Sequence, residues 1–297
     1  MSSIEVRDLT KTYGQVTAVD HLSFTVRPGA VTAFLGPNGA GKTTTMRMMI
    51  DHVAPTSGGV TIGGHRYRDL PRPTSVVGAA FDAASFHPHH SARDHLRIYA
   101  TMGGYSSGRV RELLDLVGLA EVAGRRTGTF STGMRQRLNL ATALLGDPRV
   151  LLLDEPSNGL DPDGMTWLRS FLRGLADEGR TILVSSHVLS EMQQLADDVV
   201  VIGKGRLLSA GPLSALTDAA PAVLVQTSDS DALSRILVQH AGVVEADGPH
   251  GLRVRGLEAA DIADLAAAHG LRVHGLTSDH PSLEQLFLDL TGERTNA

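Results

Sequence analysis

One segment near the N-terminus constrains the fold of this chain more than any other. An apolar run, residues 31–35, is followed by a helical pattern at residues 46–50, and between them lies Gly36-Pro37-Asn38-Gly39-Ala40-Gly41-Lys42-Thr43-Thr44. This strand, loop and helix fit the pattern G-x-x-x-x-G-K-[ST], in which backbone N–H groups converge on phosphate oxygens where the helix begins. The pattern predicts that Lys42 contacts the β and γ phosphates of a nucleotide and that the Thr43 hydroxyl binds Mg²⁺.

A second apolar run ends in two carboxylates. Residues 150–153 precede Asp154 and Glu155, and a buried parallel strand brings its C-terminal end to the ligand crevice. We therefore expect Asp154 to hold Mg²⁺, directly or through water, and Glu155 to polarise an attacking water. Adjacent acids after a strand often form only a solvated turn, but the phosphate loop upstream favours the catalytic interpretation.

Composition excludes several classes of protein. A length of 297 residues with 42% hydrophobic residues predicts a globular chain of two domains. The formal net charge of -5 disfavours a protein that wraps nucleic acid, so we expect no nucleic-acid partner. With no cysteine, disulfides, thiolate nucleophiles and iron–sulfur sites are excluded. Neither a secretory signal nor a membrane-spanning apolar run is present in the sequence, which fits a cytoplasmic location.

The pattern changes towards the C-terminus. Residues 4–211 alternate apolar runs with helical stretches, which is typical of an α/β domain with a largely parallel sheet. We expect a linker over residues 211–221. Beyond it, strands at 223–226, 243–245, 252–254 and 271–274 and helices at 231–239 and 258–268 predict a β-α-β-β-α-β arrangement. Residues 283–290 predict an amphipathic helix that docks.

The segment before the Asp154 strand decides between classes of nucleotide hydrolase. It reads Phe130-Ser131-Thr132-Gly133-Met134-Arg135-Gln136-Arg137 and resembles the signature of the ATP-binding subunits of ABC transporters, usually Leu-Ser-Gly-Gly-Gln followed by Gln-Arg. It departs at Phe130, Thr132 and Met134. The resemblance implies that Ser131 and Gly133 contact the γ-phosphate of ATP bound to the opposite subunit, and a helix start suits such an anion clamp.

Other segments match the same family in its order, over about residues 4–215. Tyr13 resembles the aromatic residue that stacks on adenine. Asn158-Gly159-Leu160-Asp161 resembles the loop that communicates across the dimer, and we place Asp161 among the nucleotide-site residues. His187 resembles the switch histidine that reaches the γ-phosphate and supports Glu155.

One position departs from the family in an informative way. The family has Gln where this chain has Asp82, and a subset resembling bacitracin and lantibiotic exporters has Glu there. The resemblance makes Asp82 a candidate Mg²⁺ ligand, although its shorter side chain leaves a solvated loop acid as an alternative. His87, His89 and His90 follow closely; they suit a loop that faces a membrane subunit better than a metal site.

The resemblance implies an α/β fold: a P-loop ABC ATPase core over residues 1–215, with a mostly parallel sheet, a helical signature subdomain at about 83–146, and a small α+β accessory domain over 216–297. It also implies the ATP-hydrolysing subunit of an exporter for an antibiotic, peptide or lipid-like compound, peripheral on the inner face of the cell membrane. The expected ligands are ATP and Mg²⁺, and the expected partners are an integral-membrane permease and a second copy of the chain.

Two other interpretations compete with the exporter. The alternative is a soluble ABC-type ATPase acting on ribosomes or nucleic acid, but one cassette and an acidic tail fit it poorly. A G-protein-like switch is excluded because none of the three lysines lies in an Asn/Thr-Lys-x-Asp guanine-binding pattern.

Overall fold

The computed structural model describes residues 2–81, 86–217, 222–240, 242–248, 250–279 and 287. The chain divides into two compact units, with the boundary between Pro212 and Leu213. The elements of the first unit are, in chain order, β1 (Ile4–Tyr13), β2 (Val16–Val26), β3 (Val31–Leu35), α1 (Lys42–Met49), β4 (Ser57–Ile62), β5 (Val77–Ala80), α2 (Ala92–Gly103), α3 (Ser107–Leu116), α4 (Thr132–Ala143), β6 (Val150–Asp154), α5 (Pro162–Asp177), β7 (Thr181–Ser186), α6 (Leu189–Leu195), β8 (Asp198–Gly203) and β9 (Arg206–Pro212).

The central sheet of the first unit has the strand order β5-β6-β7-β3-β8-β9. All neighbours are parallel except β8 and β9, which confirms the predicted mostly parallel sheet. Leu35 at the end of β3 pairs in register with Ser186, and Asp154 at the end of β6 pairs with Ser185. The residues that follow β3, β6 and β7 therefore meet at one edge of the sheet.

The sheet strands are apolar because both of their faces are covered. Every residue of β3 is buried, as are the first four residues of β6, and such strands read as continuous apolar runs rather than alternating ones. Phe34, Leu152 and Leu183 belong to one core cluster that also contains Met46 and Met49 of α1. Burial of a large apolar side chain stabilises the fold by about 1.5–3 kcal/mol, so α1 is firmly held where it begins beside β3.

A smaller antiparallel sheet completes this core and was not part of the sequence-based expectation. Its strand order is β2-β1-β4, and it contributes Ile4, Leu9 and Leu22 to the core cluster of the central sheet. Tyr13 is the last residue of β1, so the sheet determines where this aromatic side chain lies.

Three helices, α2, α3 and α4, pack against one another between β5 and β6 in the chain. Each helix is preceded by a serine whose hydroxyl accepts a hydrogen bond from a backbone N–H of the first turn. These serines are Ser91 for α2, Ser106 for α3 and Ser131 for α4. Such caps satisfy donors that a helix start leaves unpaired. This is the helical subdomain that the sequence predicts.

The second unit has its own core. Its elements are α7 (Leu213–Thr217), β10 (Ala222–Thr227), α8 (Ser230–Gln239), β11 (Val243–Ala246), β12 (Gly251–Arg255), α9 (Ala259–Ala268) and β13 (Val273–Asp279). The sheet order is β11-β12-β10-β13, with antiparallel neighbours. After α7, the element order is the predicted β-α-β-β-α-β, and Val225, Leu233, Leu252 and Ile262 lie in the core.

Two expectations concern the junction of the two units and the C-terminal end. The predicted linker over residues 211–221 is wrong in its first half, because Gly211 and Pro212 pair with β8 as part of β9 and Leu213–Thr217 is helical; residues 218–221 lie outside the described ranges. The predicted helix at 283–290 also lies outside them, except for Phe287. Within the described part of the chain, none of the α-helices combines the length and the apolarity needed to span a bilayer.

Candidate nucleotide site

At two positions of the loop between β3 and α1, only glycine fits the available space. Gly41 has φ 102°, and a Cβ at this position would lie 2.5 Å from the carbonyl oxygen of Ala18. A Cβ at Gly36 would lie 2.6 Å from the carbonyl oxygen of Ile202. The loop therefore curls tightly under the start of α1, where the first backbone N–H groups have no partner within the helix. That arrangement fits the phosphates of a nucleotide.

The side chain of Lys42 already lies inside this loop. Its Nζ donates to the carbonyl oxygen of Gly36 at 2.6 Å and to that of Pro37 at 3.3 Å. Burial lowers the pKa of Lys42, while Glu155 and Asp154 act in the opposite direction. A desolvated ammonium surrounded by neutral carbonyls gains strongly from an anionic partner, so its placement also fits a phosphate group.

Thr43, Asp154 and Ser185 form a second group of contacts, made by α1, β6 and β7. The Thr43 hydroxyl donates to Asp154 Oδ2 at 2.7 Å, and the Ser185 hydroxyl donates to Asp154 Oδ1 at 2.5 Å. A carboxylate and a hydroxyl side by side are hard oxygen ligands of the type that Mg²⁺ takes together with substrate phosphates. The donor set of this chain therefore fits Mg²⁺.

Glu155 is held in an uncommon backbone conformation. Its φ is 49°, in the left-handed region that non-glycine residues rarely adopt. Its N–H donates to the carbonyl oxygen of Ser185 at 3.2 Å and to the Ser185 hydroxyl at 2.9 Å. These bonds hold the residue in a strained conformation, and such conformations are frequent at functional sites.

The carboxylate of Glu155 lies between two nitrogen atoms. Its Oε2 is 2.7 Å from Nδ1 of His187, and its Oε1 is 3.8 Å from Nζ of Lys42. Because an ionised carboxylate only accepts hydrogen bonds, Nδ1 carries the proton in this contact. The His187 side chain is 53% exposed, so its other edge is open to a ligand.

A cavity of about 650 Å³ extends from this cluster towards the helical subdomain. It is bordered by Thr43 and Arg47 of α1, by Asp154 and Glu155, and by Thr132 and Gln136 of α4. The sequence-predicted residues Lys42, Thr43, Asp154, Glu155 and His187 are thus brought together beside a space of the size of small-molecule sites.

The predicted clamp residues Ser131 and Gly133 are not part of this cluster, and neither is Asp161. Ser131 is exposed and accepts the N–H of Met134 at 3.2 Å, and Asp161 accepts the N–H of Gly164 at 2.8 Å. Gly133 follows within the first turn of α4. Among the described residues, no hydrogen bond joins these three to the Lys42–His187 cluster of the same chain.

Tyr13 is 50% exposed at the end of β1. The Nζ of Lys11 lies 4.8 Å from the centre of its ring and donates to the carbonyl oxygen of Ala54 at 2.7 Å. The lysine covers one part of the ring, and the exposed remainder is an aromatic surface on which a base could stack.

Asp82 and the histidine loop are the remaining predicted features. Asp82 lies outside the described residues, so its role as an Mg²⁺ ligand stays a prediction. In the loop before α2, the rings of His87 and His90 stack with centres 4.3 Å apart, and the part of the chain that is described contains no group of three or more His, Cys, Asp or Glu arranged to hold a metal.

Sequence reasoning missed two contributors. Ser185 binds both Asp154 and the backbone of Glu155, and the only sequence signal is a hydroxyl at the end of a buried strand beside His187. Lys11 contacts Tyr13, and its signal is the scarcity of lysine, three residues against 24 arginines.

A phosphate loop, a Thr–Asp pair and a Glu–His pair at one sheet edge define a P-loop nucleotide hydrolase. The profile of the family described as "ABC transporter" matches residues 19–158, and that of a domain of unknown function (DUF8746) matches residues 221–284. The chain belongs to the ATP-binding subunits of ABC transporters and is an ATPase.

Relatives and solved structures agree with this membership. The bacitracin transport ATP-binding protein of Bacillus licheniformis is 37% identical over 300 residues, 98% of each chain. The lantibiotic transport ATP-binding protein of Streptococcus pyogenes is 37% identical over 69% of this chain and 89% of its own. A solved ATP-binding subunit of an ABC transporter has a TM-score of 0.65 and 28% identity, covering 72% of this chain and 91% of its own.

Proposed function

We propose that this chain is the ATP-hydrolysing subunit of an exporter, in which two copies enclose two ATP molecules and drive a separate membrane protein. The observation that carries the proposal is the Glu155 carboxylate, held between His187 and Lys42 at the mouth of the phosphate loop. Similarity over 98% of both chains to a bacitracin transport protein supports the transport role.

The proposed hydrolysis begins with ATP in the phosphate loop. The backbone N–H groups of residues 36–44 bind the phosphates, and Lys42 leaves the loop carbonyls to pair with the β and γ phosphates. Tyr13 stacks on the adenine through its exposed face. Thr43 and Asp154 would hold Mg²⁺, which would supply positive charge to stabilise the phosphates.

Glu155 then orients the water that attacks the γ-phosphorus and accepts a proton from that water, while the bond from the γ-phosphorus to the bridging oxygen breaks and ADP leaves. His187 donates from Nδ1 to Glu155, and its exposed edge faces the γ-phosphate. Ser185 fixes Asp154 and the Glu155 backbone together, so the carboxylate that holds the metal and the one that orients water share one support. These roles are assigned from the hydrogen bonds that Glu155, His187 and Ser185 make.

We further propose that the site is completed by a second copy. Ser131 is exposed and Gly133 is partly exposed at the start of α4, where the first backbone N–H groups of a helix favour an anion. They make no hydrogen bond to the phosphate-loop cluster of their own chain, which supports a role towards the ATP of the partner. Asp161, at the start of α5, would accompany them in this interface.

The membrane partner is proposed to bind the helical subdomain. On α2, three large apolar side chains lie on one face and are exposed, Ile98 by 43%, Tyr99 by 45% and Met102 by 78%. Exposed apolar patches of this kind mark interaction sites more often than other parts of a protein surface do. An integral-membrane permease that covers it would hold the chain at the inner face of the cell membrane.

The proposed domains follow the same division. Residues 1–215 form the ATP-binding domain, with a helical subdomain at about 83–146, and residues 216–297 form an accessory domain. The compact units, divided after Pro212, support this division. The proposed cargo is an antibiotic, a peptide or a lipid-like compound, and the names of the bacitracin and lantibiotic relatives support the first two.

Disruption of the gene in its native cell tests the transport role. The disrupted cells should become more sensitive to bacitracin or a lantibiotic, and wild-type protein but not Glu155→Gln should restore resistance. Unchanged sensitivity together with sedimentation on ribosomes would contradict export and favour the soluble alternative.

The partner surface has a separate test. Ile98→Glu with Met102→Glu should leave ATP hydrolysis by the isolated chain unchanged and remove its association with membranes of the native cell. Arg111→Glu is the matched control, since Arg111 is exposed on α3. Full membrane association of the α2 variant would exclude this face as the docking site.

A further inference from the structure

Arg137 lies six residues after Ser131, on the second turn of α4. Its Cζ is 4.0 Å from the centre of the Trp167 ring, and its Nη1 donates to the carbonyl oxygen of Val117 at the end of α3. Burial lowers the pKa of Arg137, while the Asp161 carboxylate acts in the opposite direction. The guanidinium is therefore partly removed from water, where a cation–π contact is stronger than at an exposed surface.

Trp167 occupies the equivalent place on the other helix, six residues after Asp161, which caps α5. Its ring also stacks on Phe171 with centres 4.9 Å apart, so the indole is supported on α5. At about 1.5 Å of rise per residue, Arg137 and Trp167 each lie roughly 9 Å along their helices from the capping residue. The pair thus joins two helices at matched distances from their starts.

The two loops at these helix starts are also in contact with each other. We name residues 130–133 the Ser131 loop and residues 158–161 the Asp161 loop. Gly159 has φ 73°, and a Cβ added to it would lie 2.8 Å from Cγ2 of Thr132. A Cβ added to Gly133 would lie 3.5 Å from Cδ2 of Leu160. The two loops therefore pack closely against each other.

We propose that Arg137 and Trp167 are positioning residues that hold the Ser131 loop in register with the Asp161 loop of the same chain, so that both loops reach the ATP of the second copy as one rigid piece. The proposal rests on the proposed dimer and deepens it. The proposal gives a role to Arg137 of α4 and to Trp167, the single tryptophan of the chain. Neither the phosphate loop nor the Glu155 cluster supplies that role.

The test compares variants in a Glu155→Gln background, which retains bound ATP. Trp167→Ala or Arg137→Ala should weaken ATP-dependent dimer formation about tenfold, which lies within the range of a partly desolvated cation–π contact. The ATP affinity of the monomer should stay within about twofold, since neither residue touches the nucleotide. The double variant should be no weaker than either single variant, because both changes break the same contact.

Further measurements separate positioning from simple destabilisation. Trp167→Phe, which keeps an aromatic face and the fold, should recover most of the dimer affinity. With Glu155 restored, Trp167→Ala should lower kcat and leave the KM for ATP unchanged. Ser170→Ala, on an exposed position of α5, is the matched control and should behave as the parent. Because the chain has one tryptophan, a red shift of emission in Arg137→Ala reports loss of the contact directly.

The outcomes are distinguishable. If the parent dimerises with ATP and Trp167→Ala dimerises equally well, the positioning role is overturned and the proposed dimer stands. The positioning role would also be overturned if the double variant lost dimer affinity by the product of the two single losses. If the parent itself forms no ATP-dependent dimer, both the proposed dimer and this inference are overturned.

Discussion

The carboxylate of Glu155 lies 2.7 Å from Nδ1 of His187, and this contact joins the ends of two neighbouring parallel strands. Glu155 follows β6 and His187 follows β7, whose pairing places Asp154 opposite Ser185. The register of the sheet therefore determines which histidine can support which carboxylate, and each side of the contact can be tested.

Glu155→Gln should bind ATP within about twofold of the wild type and lose roughly 10²–10⁴-fold in turnover, the range of a positioned general base. The amide keeps the size of the side chain and its contact with His187 but cannot accept a proton. Phosphate release and ATP binding measure the two effects separately. The control is Glu178→Gln, at an exposed carboxylate after α5. Wild-type turnover in Glu155→Gln would remove Glu155 from the mechanism.

His187→Ala should lower kcat by roughly 10–100-fold, the value of a hydrogen bond to a charged group expressed as a rate. The Glu155 carboxylate would lose the donor that orients it, while the phosphate loop stays intact. His187→Gln can still donate a hydrogen bond and should recover part of the rate. Single-turnover hydrolysis measures the chemical step, and an unchanged rate in the alanine variant would contradict the role of His187.

Ser185→Ala should reduce both activity and stability. The buried hydroxyl donates to Asp154 and accepts from the Glu155 backbone, and loss of such a partner costs about 1–3 kcal/mol. Urea unfolding should show this loss, and the Mg²⁺ concentration needed for half-maximal hydrolysis should rise. The neighbouring variant Ser186→Ala is the comparison, since Ser186 accepts from Val188 instead. Equal Mg²⁺ requirements in the two variants would argue against a link between Ser185 and the metal site.

His95 makes stability depend on pH. It is 6% exposed, its Nε2 is 3.0 Å from the Thr142 hydroxyl, and burial, assisted by His90, lowers its pKa to about 4. Between pH 6.5 and pH 4 the unfolded chain therefore binds a proton that the folded chain does not. The contribution of His95 to the free energy of unfolding consequently falls as pH falls.

His95→Asn should remove this dependence because the amide stays neutral. Urea unfolding at pH 7.5 and pH 5 should show the wild type losing about 2 kcal/mol more than the variant over that interval. Parallel losses in the two proteins would mean that His95 is not the titrating group.

The phosphate loop and the Asp154–Glu155 strand could be predicted because their signals are local in sequence. The strand, glycines and helix lie within 20 residues of one another, and the apolar runs of β3 and β6 follow from burial on both faces. The helices and strands of the second unit also follow their local periodicity.

Contacts between distant segments could not be predicted in this way. The pairing of β6 with β7 decides that Ser185 supports Asp154 and Glu155, and no pattern near Ser185 indicates it. The stacking of Arg137 on Trp167 depends on how α4 packs beside α5. The antiparallel sheet is likewise completed by the pairing of β4 with β1, which lie far apart in the chain. Only the last two residues of β9 are wrongly assigned to the linker, because Gly-Pro is typical of a turn or loop, although edge strands tolerate such residues.

Mixing two inactive variants tests most directly the claim that two copies share each active site. Lys42→Ala disables the phosphate loop, and Ser131→Arg disables the clamp. In a mixed dimer, the intact loop of one chain meets the intact clamp of the other, so one of its two sites is whole. An equimolar mixture should regain about one quarter of wild-type ATP hydrolysis, because half of the dimers are mixed and each has one working site. No activity above that of the separate variants would contradict the shared site.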